Sequence, residues 1–288
     1  MRKKLVTVTA TLAVAALAVC MVGCSAGSST TNATNGLTSG RSSDSVTSLN
    51  QANETQEFKT VTFGTYEQDA NTSNGAEAIE WYVLDEQDGK SLLISKYVLD
   101  AQPYNAVKET VSWADCSLRA WLNDDFLKKA FSSDEQKSIV ATQLENYESP
   151  VPTQAGVVAQ SEDFYGEETT DSVFLLSVSE ARQYFISYKA RIAQATQYAC
   201  DQGLYLSNDE SFDWYESEGA NGIWWLRSAG YYNGYAAVVI GDGYIHGDGF
   251  RVDGETHDGY ENHGQYASTL GGNFGVRPCV WVDSSALA

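Results

Sequence analysis

The side chains best suited to binding a ligand are concentrated in the last third of the chain. Of the 38 residues from 231 to 268, 24 are Gly, Tyr, Asp, His, Asn or Ser. Tyr offers a large, stiff contact surface with a polar tip, and small polar residues adapt around it, as in antibody paratopes. This mixture predicts an exposed face that binds a protein or a glycan. The predicted face comprises Tyr231, Tyr232, Asn233, Tyr235, His257, Tyr260, Asn262, His263 and Tyr266.

The same region is a candidate metal site, because its histidines are interleaved with carboxylates. Imidazole nitrogens suit Zn²⁺, and carboxylate oxygens suit Ca²⁺. However, the spacing fits neither a helical His-x-x-x-His pair nor an EF-hand loop, and Asp-Gly pairs also serve hairpin turns. We therefore predict no cofactor and leave Ca²⁺ and Zn²⁺ as alternatives. The candidate ligands are His246, His257, His263, Asp242, Asp248, Asp253, Glu255, Asp258 and Glu261.

The sequence contains no pattern that identifies a catalytic centre. It has no phosphate-binding loop, no nucleotide-binding fingerprint and no Ser-nucleophile elbow. A glycosidase could use two of the loop carboxylates, but the sequence does not fix the distance between them, on which that chemistry depends. A non-enzymatic binding protein is the favoured interpretation. The alternatives are a cell-envelope hydrolase and a structural envelope protein that binds nothing.

The amino terminus predicts export and a lipid anchor. Basic residues at positions 2–4 precede an apolar run over residues 5–22, and Gly23-Cys24 follows it. This order is typical of a signal peptide, and its end resembles the lipobox of bacterial lipoproteins. That resemblance implies cleavage before Cys24 and two acyl chains, which would hold the protein on the extracytoplasmic face of the cell membrane. The alternative is an ordinary secretory signal in which Cys24 occurs by chance.

Composition divides the chain into three parts. Residues 1–23 are the predicted lipoprotein signal peptide. Residues 24–57 are rich in Ser, Thr and Asn and poor in large apolar residues, which predicts a disordered, flexible tether. Residues 58–283 form the predicted folded domain. The formal net charge of −20 argues against nucleic acid or an anionic lipid surface as an electrostatic partner.

Local patterns predict some of the elements that position these side chains. Two β-prone runs flank Asp88-Gly89, a pair that suits a tight hairpin turn. Ser177-x-x-Glu180 is a capping box that opens a helix. The last third is predicted to be a meander of short strands. The closing strand is predicted over residues 276–282, and Pro278 within it predicts an edge strand or a bulge, because Pro donates no ladder hydrogen bond.

Arg227 and Arg277 lie in strongly apolar segments, where charged residues are rare. The structural interpretation is that each arginine pairs with a carboxylate or with carbonyl oxygens and braces the sheet. The functional alternative is a clamp for an anion. The local sequence has no other basic cluster, which favours the structural role.

Seven motifs occur in a fixed order between about residue 58 and residue 282. They are Phe63-Gly64, Ile79-Glu80-Trp81-x-Val83-Leu84, Ser117-Leu118-Arg119-x-Trp121-Leu122-Asn123, Phe131-Ser132, Phe174-Leu175-Leu176-Ser177, Trp225-Leu226-Arg227-Ser228 and Gly275-Val276-Arg277-Pro278. Together they resemble a bacterial family catalogued as domain of unknown function 6273, which is similar to the C-type-lectin-like and sulfatase-modifying-factor superfamily. The resemblance implies an α+β, C-type-lectin-like domain with helices packed on a twisted antiparallel sheet. It implies no activity.

The resemblance also bears on the cysteines. Cys279 stands where the family usually has Ala, and an exported protein can form disulfides. We therefore predict a disulfide between Cys200 and Cys279, with Cys116 buried as a thiol; three buried free thiols are the alternative. Formylglycine-generating relatives use a pair of cysteines in catalysis. Since no two cysteines of the domain are close in sequence, that activity is not expected.

The composition of residues 231–268 has a further implication. Randomising Asn codons at their adenines yields Tyr, His, Asp, Ser and Gly, and some lectin-like receptors are diversified in this way by reverse-transcription cassettes. The resemblance makes retroelement diversification a hypothesis for this region. The alternative is an ordinary meander whose Tyr side chains pack on neighbouring strands. Beneath the predicted face, Trp224, Leu226, Val276 and Val280 are predicted to be buried.

Overall fold

Strands account for most of the regular structure. The computed structural model describes residues 55–107, 109–146, 166–206, 221–230, 234–251 and 273–287. Within these ranges the chain is an α+β domain of short helices and largely antiparallel sheets, as predicted. The strands are β1 (Thr60–Tyr66), β2 (Glu77–Gln87), β3 (Lys90–Ser95), β4 (Asp100–Gln102), β5 (Thr142–Leu144), β6 (Thr169–Asp171), β7 (Trp224–Ala229), β8 (Tyr235–Val239), β9 (Ile245–Arg251), β10 (Phe274–Val276) and β11 (Cys279–Asp283).

The helices are short and lie between β4 and β7 in the chain. In the described ranges none of them is both long enough and apolar enough to cross a membrane. They are α1 (Ser117–Trp121), which continues through a π-helical turn (Leu122–Phe126) into α2 (Leu127–Ala130), then α3 (Ser133–Ser138), α4 (Val178–Tyr184), α5 (Tyr188–Arg191) and α6 (Gln197–Asp201).

Two main sheets are joined where the chain passes from β10 to β11. One sheet has the order β1-β2-β3-β11 and the other has the order β4-β10-β7-β8-β9, while β5 and β6 form a separate pair. Arg277 and Pro278 separate β10 from β11, and the Pro278 carbonyl accepts a hydrogen bond from Ser95 N at 3.0 Å. The predicted single strand over residues 276–282 with an edge or a bulge at Pro278 is therefore wrong, because the strand ends before Arg277 and the chain changes sheets there.

The hairpin predicted at Asp88-Gly89 is also confirmed. Strands β2 and β3 are antiparallel, and Gln87 pairs with Lys90 across the turn. Asp88 and Gly89 have φ values of 50° and 74°. Positive φ at both central residues is the geometry of a type I′ turn, whose twist matches that of the flanking strands.

The core is one cluster of buried apolar side chains that joins both sheets to the helices. Trp224, Leu226, Val276 and Val280 are all 0–1% exposed, which confirms the prediction that they are buried. Full burial of a large apolar side chain contributes about 1.5–3 kcal/mol relative to exposure. This packing holds β7, β10 and β11 rigidly, and two of these strands supply residues to the site described next.

Candidate functional site

A cleft of about 530 Å³ opens between helix α4, strand β5 and strand β11. Sites for small ligands typically have volumes of about 300–1,000 Å³ and a few converging polar groups. The cleft has such polar groups on helix α4 and on the β5 segment. Its lining residues are Leu92, Thr142, Gln143, Leu144, Glu145, Phe174, Ser177, Ser179, Glu180, Tyr184, Arg227 and Trp281.

An ion pair between Arg227 and Glu180 forms part of the cleft wall. Arg227 Nη2 donates to Glu180 Oε1 at 2.9 Å, and Arg227 Nη1 donates to Glu180 Oε2. The guanidinium also donates to the Leu175 carbonyl at 2.9 Å and to Asn146 Oδ1 at 3.2 Å. The Arg227 side chain is only 4% exposed, whereas Glu180 is 26% exposed. Because the geometry is bidentate and largely buried, the pair is rigid, and Glu180 is its more exposed member.

Helix α4 is fixed to strand β7 by its first turn. Ser177 Oγ accepts from Glu180 N at 3.1 Å, and Glu180 Oε2 accepts from Ser177 N at 2.8 Å, so the predicted capping box is confirmed. Ser228 Oγ accepts from Val178 N at 2.9 Å. The sequence indicated this cap, but it did not indicate that the same carboxylate also binds Arg227.

Aromatic and polar side chains form the rest of the cleft. Tyr184 and Trp281 are half-buried, and Gln143 and Glu145 are exposed. Burial raises the pKa of Tyr184 to about 12, with a further contribution from the charges of Asp85 and Glu180. The Tyr184 hydroxyl therefore stays protonated at neutral pH and can donate a hydrogen bond. Flat rings beside amide, carboxylate and hydroxyl groups provide both apolar and polar contacts for a ligand.

Arg277 lies outside the cleft, in the core. Its guanidinium donates to the carbonyls of Ser95 at 2.9 Å and Arg191 at 3.2 Å. It also lies 5.2 Å from the ring centre of Phe185 and 5.0 Å from that of Trp224. Burial lowers the pKa of Arg277 to about 10. With a fully buried side chain, Arg277 braces the junction between the sheets and does not reach a ligand.

Tyr235 is the member of the predicted binding face that lies within the described ranges. It begins β8, is half-buried and pairs with Arg251 of β9. Residues 230, 234 and 251 therefore lie at the same end of the five-stranded sheet. Tyr235 does not line the cleft. The other predicted members lie outside the described residues; they are Tyr231, Tyr232, Asn233, His257, Tyr260, Asn262, His263 and Tyr266.

Two candidate metal ligands of the last third, Asp242 and His246, accept hydrogen bonds from nearby backbone N–H groups. Asp242 Oδ1 accepts from Tyr244 N at 2.7 Å in the turn after β8. His246 Nδ1 accepts from Gly249 N at 3.2 Å within β9. Both contacts are local, as expected for turn-forming residues. The side chains of the remaining candidates lie outside the described part of the chain; they are Asp248, Asp253, Glu255, His257, Asp258, Glu261 and His263.

The predicted disulfide between Cys200 and Cys279 is wrong in this structure, since both are free thiols, as is Cys116. Cys279 is buried in β11 opposite Ile94 of the four-stranded sheet. Cys200 lies in α6, which packs against β4 of the five-stranded sheet. Sequence alone could not show that these two residues belong to different layers.

Thiol titration will test this correction. Without reduction, the unfolded chain carrying both Cys20→Ala and Cys24→Ala is expected to expose the thiols of Cys116, Cys200 and Cys279. In the folded protein, Cys200 should react first, because it is only partly buried. Burial raises the pKa of Cys116 to about 12, so this thiol should react slowly. A single thiol in the unfolded, unreduced chain would restore a disulfide, and the reduced chain provides the reference count.

Comparison with known proteins identifies one family. The model of the family described as Domain of unknown function (DUF6273) matches residues 88–284, more than half of the chain. This range contains all the residues that line the cleft, together with Arg227 and Arg277. No curated protein and no solved structure matches the chain. The protein therefore belongs to the family described as Domain of unknown function (DUF6273).

Proposed function

We propose that this protein is a bacterial cell-surface lipoprotein that binds a glycan in the cleft beside Arg227 and Glu180. The observation that carries the proposal is the buried, bidentate ion pair in the cleft wall. It holds the partly exposed Glu180 side chain at a fixed position in the lining of the cleft. A fixed acceptor of this kind can bind sugar hydroxyl groups without losing much conformational entropy.

The composition of the cleft supports a sugar as the ligand. Tyr184 and Trp281 provide aromatic surface, and sugar rings pack their C–H faces against such rings. Gln143, Ser179 and Glu180 provide donors and acceptors for hydroxyl groups. An apolar ligand would remove water from these polar groups without offering them hydrogen bonds, which costs affinity.

Binding rather than hydrolysis is favoured by how Glu180 is held. Both of its oxygens accept hydrogen bonds from Arg227, and Oε2 also accepts from Ser177 N. A general acid must present a carboxyl oxygen to the bond that breaks, whereas both oxygens of Glu180 already face donors of the protein. A cell-envelope hydrolase that uses other carboxylates remains the alternative function, and the experiment below separates the two.

The tyrosine-rich residues complete the proposal. Arg227 lies near the carboxyl end of β7, the end at which residues 230, 234 and 251 also lie. We propose that Tyr231, Tyr232, Tyr235 and the residues from His257 to Tyr266 extend the contact with the ligand, and that retroelement diversification varies them. A C-type-lectin-like fold and a lipid on Cys24 belong to the same proposal. The fold rests on the resemblance of the seven ordered motifs, and the lipid rests on the resemblance of Gly23-Cys24 to a lipobox.

A glycan panel tests the proposal directly. The Cys24→Ala chain, purified without its lipid, is incubated with soluble oligosaccharides from bacterial envelopes and from animal cell surfaces. We expect saturable binding of at least one oligosaccharide, with its mass unchanged after prolonged incubation. A shortened product would favour the hydrolase, and failure to bind any member of the panel would contradict the glycan proposal.

A further inference from the structure

Three carboxylates converge in the connection between β1 and β2, in the four-stranded sheet. Glu67, Asp69 and Glu77 each contribute an oxygen atom, and these atoms lie within 4.8 Å of one another. The group lies outside the cleft, and none of its members lines it. Three negative charges at this separation repel each other unless a cation or a proton lies between them.

Glu67 makes this group different from an ordinary exposed acidic patch. The residue is only 6% exposed, and its buried Oε1 atom accepts no hydrogen bond from the described residues. Across the described ranges, no Lys, Arg or His forms an ion pair with any of the three carboxylates. A buried carboxylate oxygen without a protein donor is costly, so the position favours a cation beside it or protonation of the carboxyl group.

The other two carboxylates are positioned by hydrogen bonds from the same connection. Asp69 accepts from Asn71 N and Asn74 Nδ2, both at 2.8 Å. Glu77 Oε2 accepts from Gln68 N at 2.7 Å. Each carboxylate oxygen has more than one lone pair, so these contacts orient the groups and leave acceptor capacity for an ion.

We propose that Glu67, Asp69 and Glu77 bind a Ca²⁺ ion. An all-oxygen donor set favours hard cations, and it lacks the nitrogen and sulfur ligands that Zn²⁺ usually takes. Ca²⁺ accepts irregular coordination with mono- or bidentate carboxylates, whereas Mg²⁺ requires a near-ideal octahedron. The ion would satisfy Glu67 Oε1 and link the start of β2 to the end of β1. This inference does not depend on the proposed cleft ligand.

Calorimetric titration of the Cys24→Ala chain with CaCl₂ tests this site. Glu67→Gln and Asp69→Asn are each expected to weaken the Ca²⁺ affinity of one site at least about tenfold, equivalent to about 1.4 kcal/mol. Asp125→Asn is the matched control, because it removes one negative charge from an exposed position on another element. Its Ca²⁺ binding should match that of the parent chain. Asp69 is itself exposed, so Asp69→Asn tests the site even if Glu67→Gln impairs folding.

Thermal unfolding separates a metal site from a shared proton. If the site binds Ca²⁺, 1 mM CaCl₂ should raise the melting temperature of the parent and Asp125→Asn chains, and it should raise that of Asp69→Asn less. MgCl₂ at the same concentration should have a smaller effect. Equal responses to Ca²⁺ in all variants would overturn the proposal, as would a parent chain that shows no response. A melting temperature that depends on pH but not on Ca²⁺ would assign a shared proton instead.

Discussion

Replacing Glu180 by Ala is expected to lower the free energy of unfolding by about 3–5 kcal/mol, the usual cost of removing one partner from a buried ion pair. The substitution leaves the Arg227 guanidinium, 4% exposed, without its counter-charge. It also removes the carboxylate that accepts from Ser177 N at the start of α4. Both losses destabilise the folded protein, because the Glu180 side chain contacts both the start of helix α4 and Arg227 of strand β7.

Urea unfolding of Glu180→Ala and Arg227→Met, singly and together, measures this effect. If Glu180 and Arg227 act as a pair, the double variant should lose less stability than the two single variants combined. Glu86→Ala is the control, because Glu86 pairs with Lys59 at 2.8 Å with both side chains more than half exposed. Exposed pairs contribute about 0–1 kcal/mol. A loss below about 1 kcal/mol for Glu180→Ala would show that the pair is not rigidly held.

Replacing Cys24 by Ala is expected to move the protein from the membrane fraction to the soluble fraction. The expectation rests on Gly23-Cys24 at the end of the apolar run over residues 5–22. Two acyl chains on Cys24 would provide nearly all of the membrane affinity, so their loss should release almost the whole population. Fractionation of cells that express each chain, followed by immunoblotting, provides the measurement.

Cys200→Ala is the matched control for that experiment. It removes a cysteine of the folded domain, and it should leave the protein in the membrane fraction. Metabolic labelling with a fatty acid analogue should mark the parent and Cys200→Ala chains but not Cys24→Ala. A Cys24→Ala chain that still sediments with membranes would exclude the lipid anchor and favour another mode of attachment.

Features of the fold that depend on neighbouring residues could be predicted from the sequence. Asp88-Gly89 predicted a hairpin because positive φ at both positions is a local requirement. Pro278 predicted a departure from regular strand pairing, since it cannot donate to a ladder, although the departure is a break between β10 and β11 and not the predicted edge or bulge. The burial of Trp224 and Val280 followed from the apolar character of their strands. In each case the physical cause lies within a few residues of the feature.

The cleft could not be predicted, because its residues are distant in sequence. Glu180 looked like the third helical residue of a capping box and Arg227 like a brace for the sheet, and both interpretations are correct. Only the tertiary fold brings them together, 47 positions apart in the chain. The predicted Cys200–Cys279 disulfide failed for the same reason, because no local pattern reports which sheet each cysteine packs against.

The sequence also contains a local pattern that is typical of the calcium site proposed above. Glu67 and Asp69 alternate in the connection after β1, and Glu77 begins the next strand. Acidic residues at alternate positions are a feature of calcium-binding loops. The greater density of carboxylates in the last third favoured that region as the candidate metal site. There, Asp242 and His246 form local hydrogen bonds to nearby backbone N–H groups.

Binding of a glycan in the cleft beside the Arg227–Glu180 pair can be measured by calorimetry. An oligosaccharide identified by the panel is titrated into the Cys24→Ala chain and into two variants of it. Tyr184→Ala, which removes an aromatic wall of the cleft, should weaken the affinity at least about tenfold. Tyr97→Ala, which removes a half-buried tyrosine outside the cleft, should leave it within about twofold. Equal affinities for Tyr184→Ala and the parent chain would show that the glycan binds elsewhere and would contradict the proposed site in the cleft.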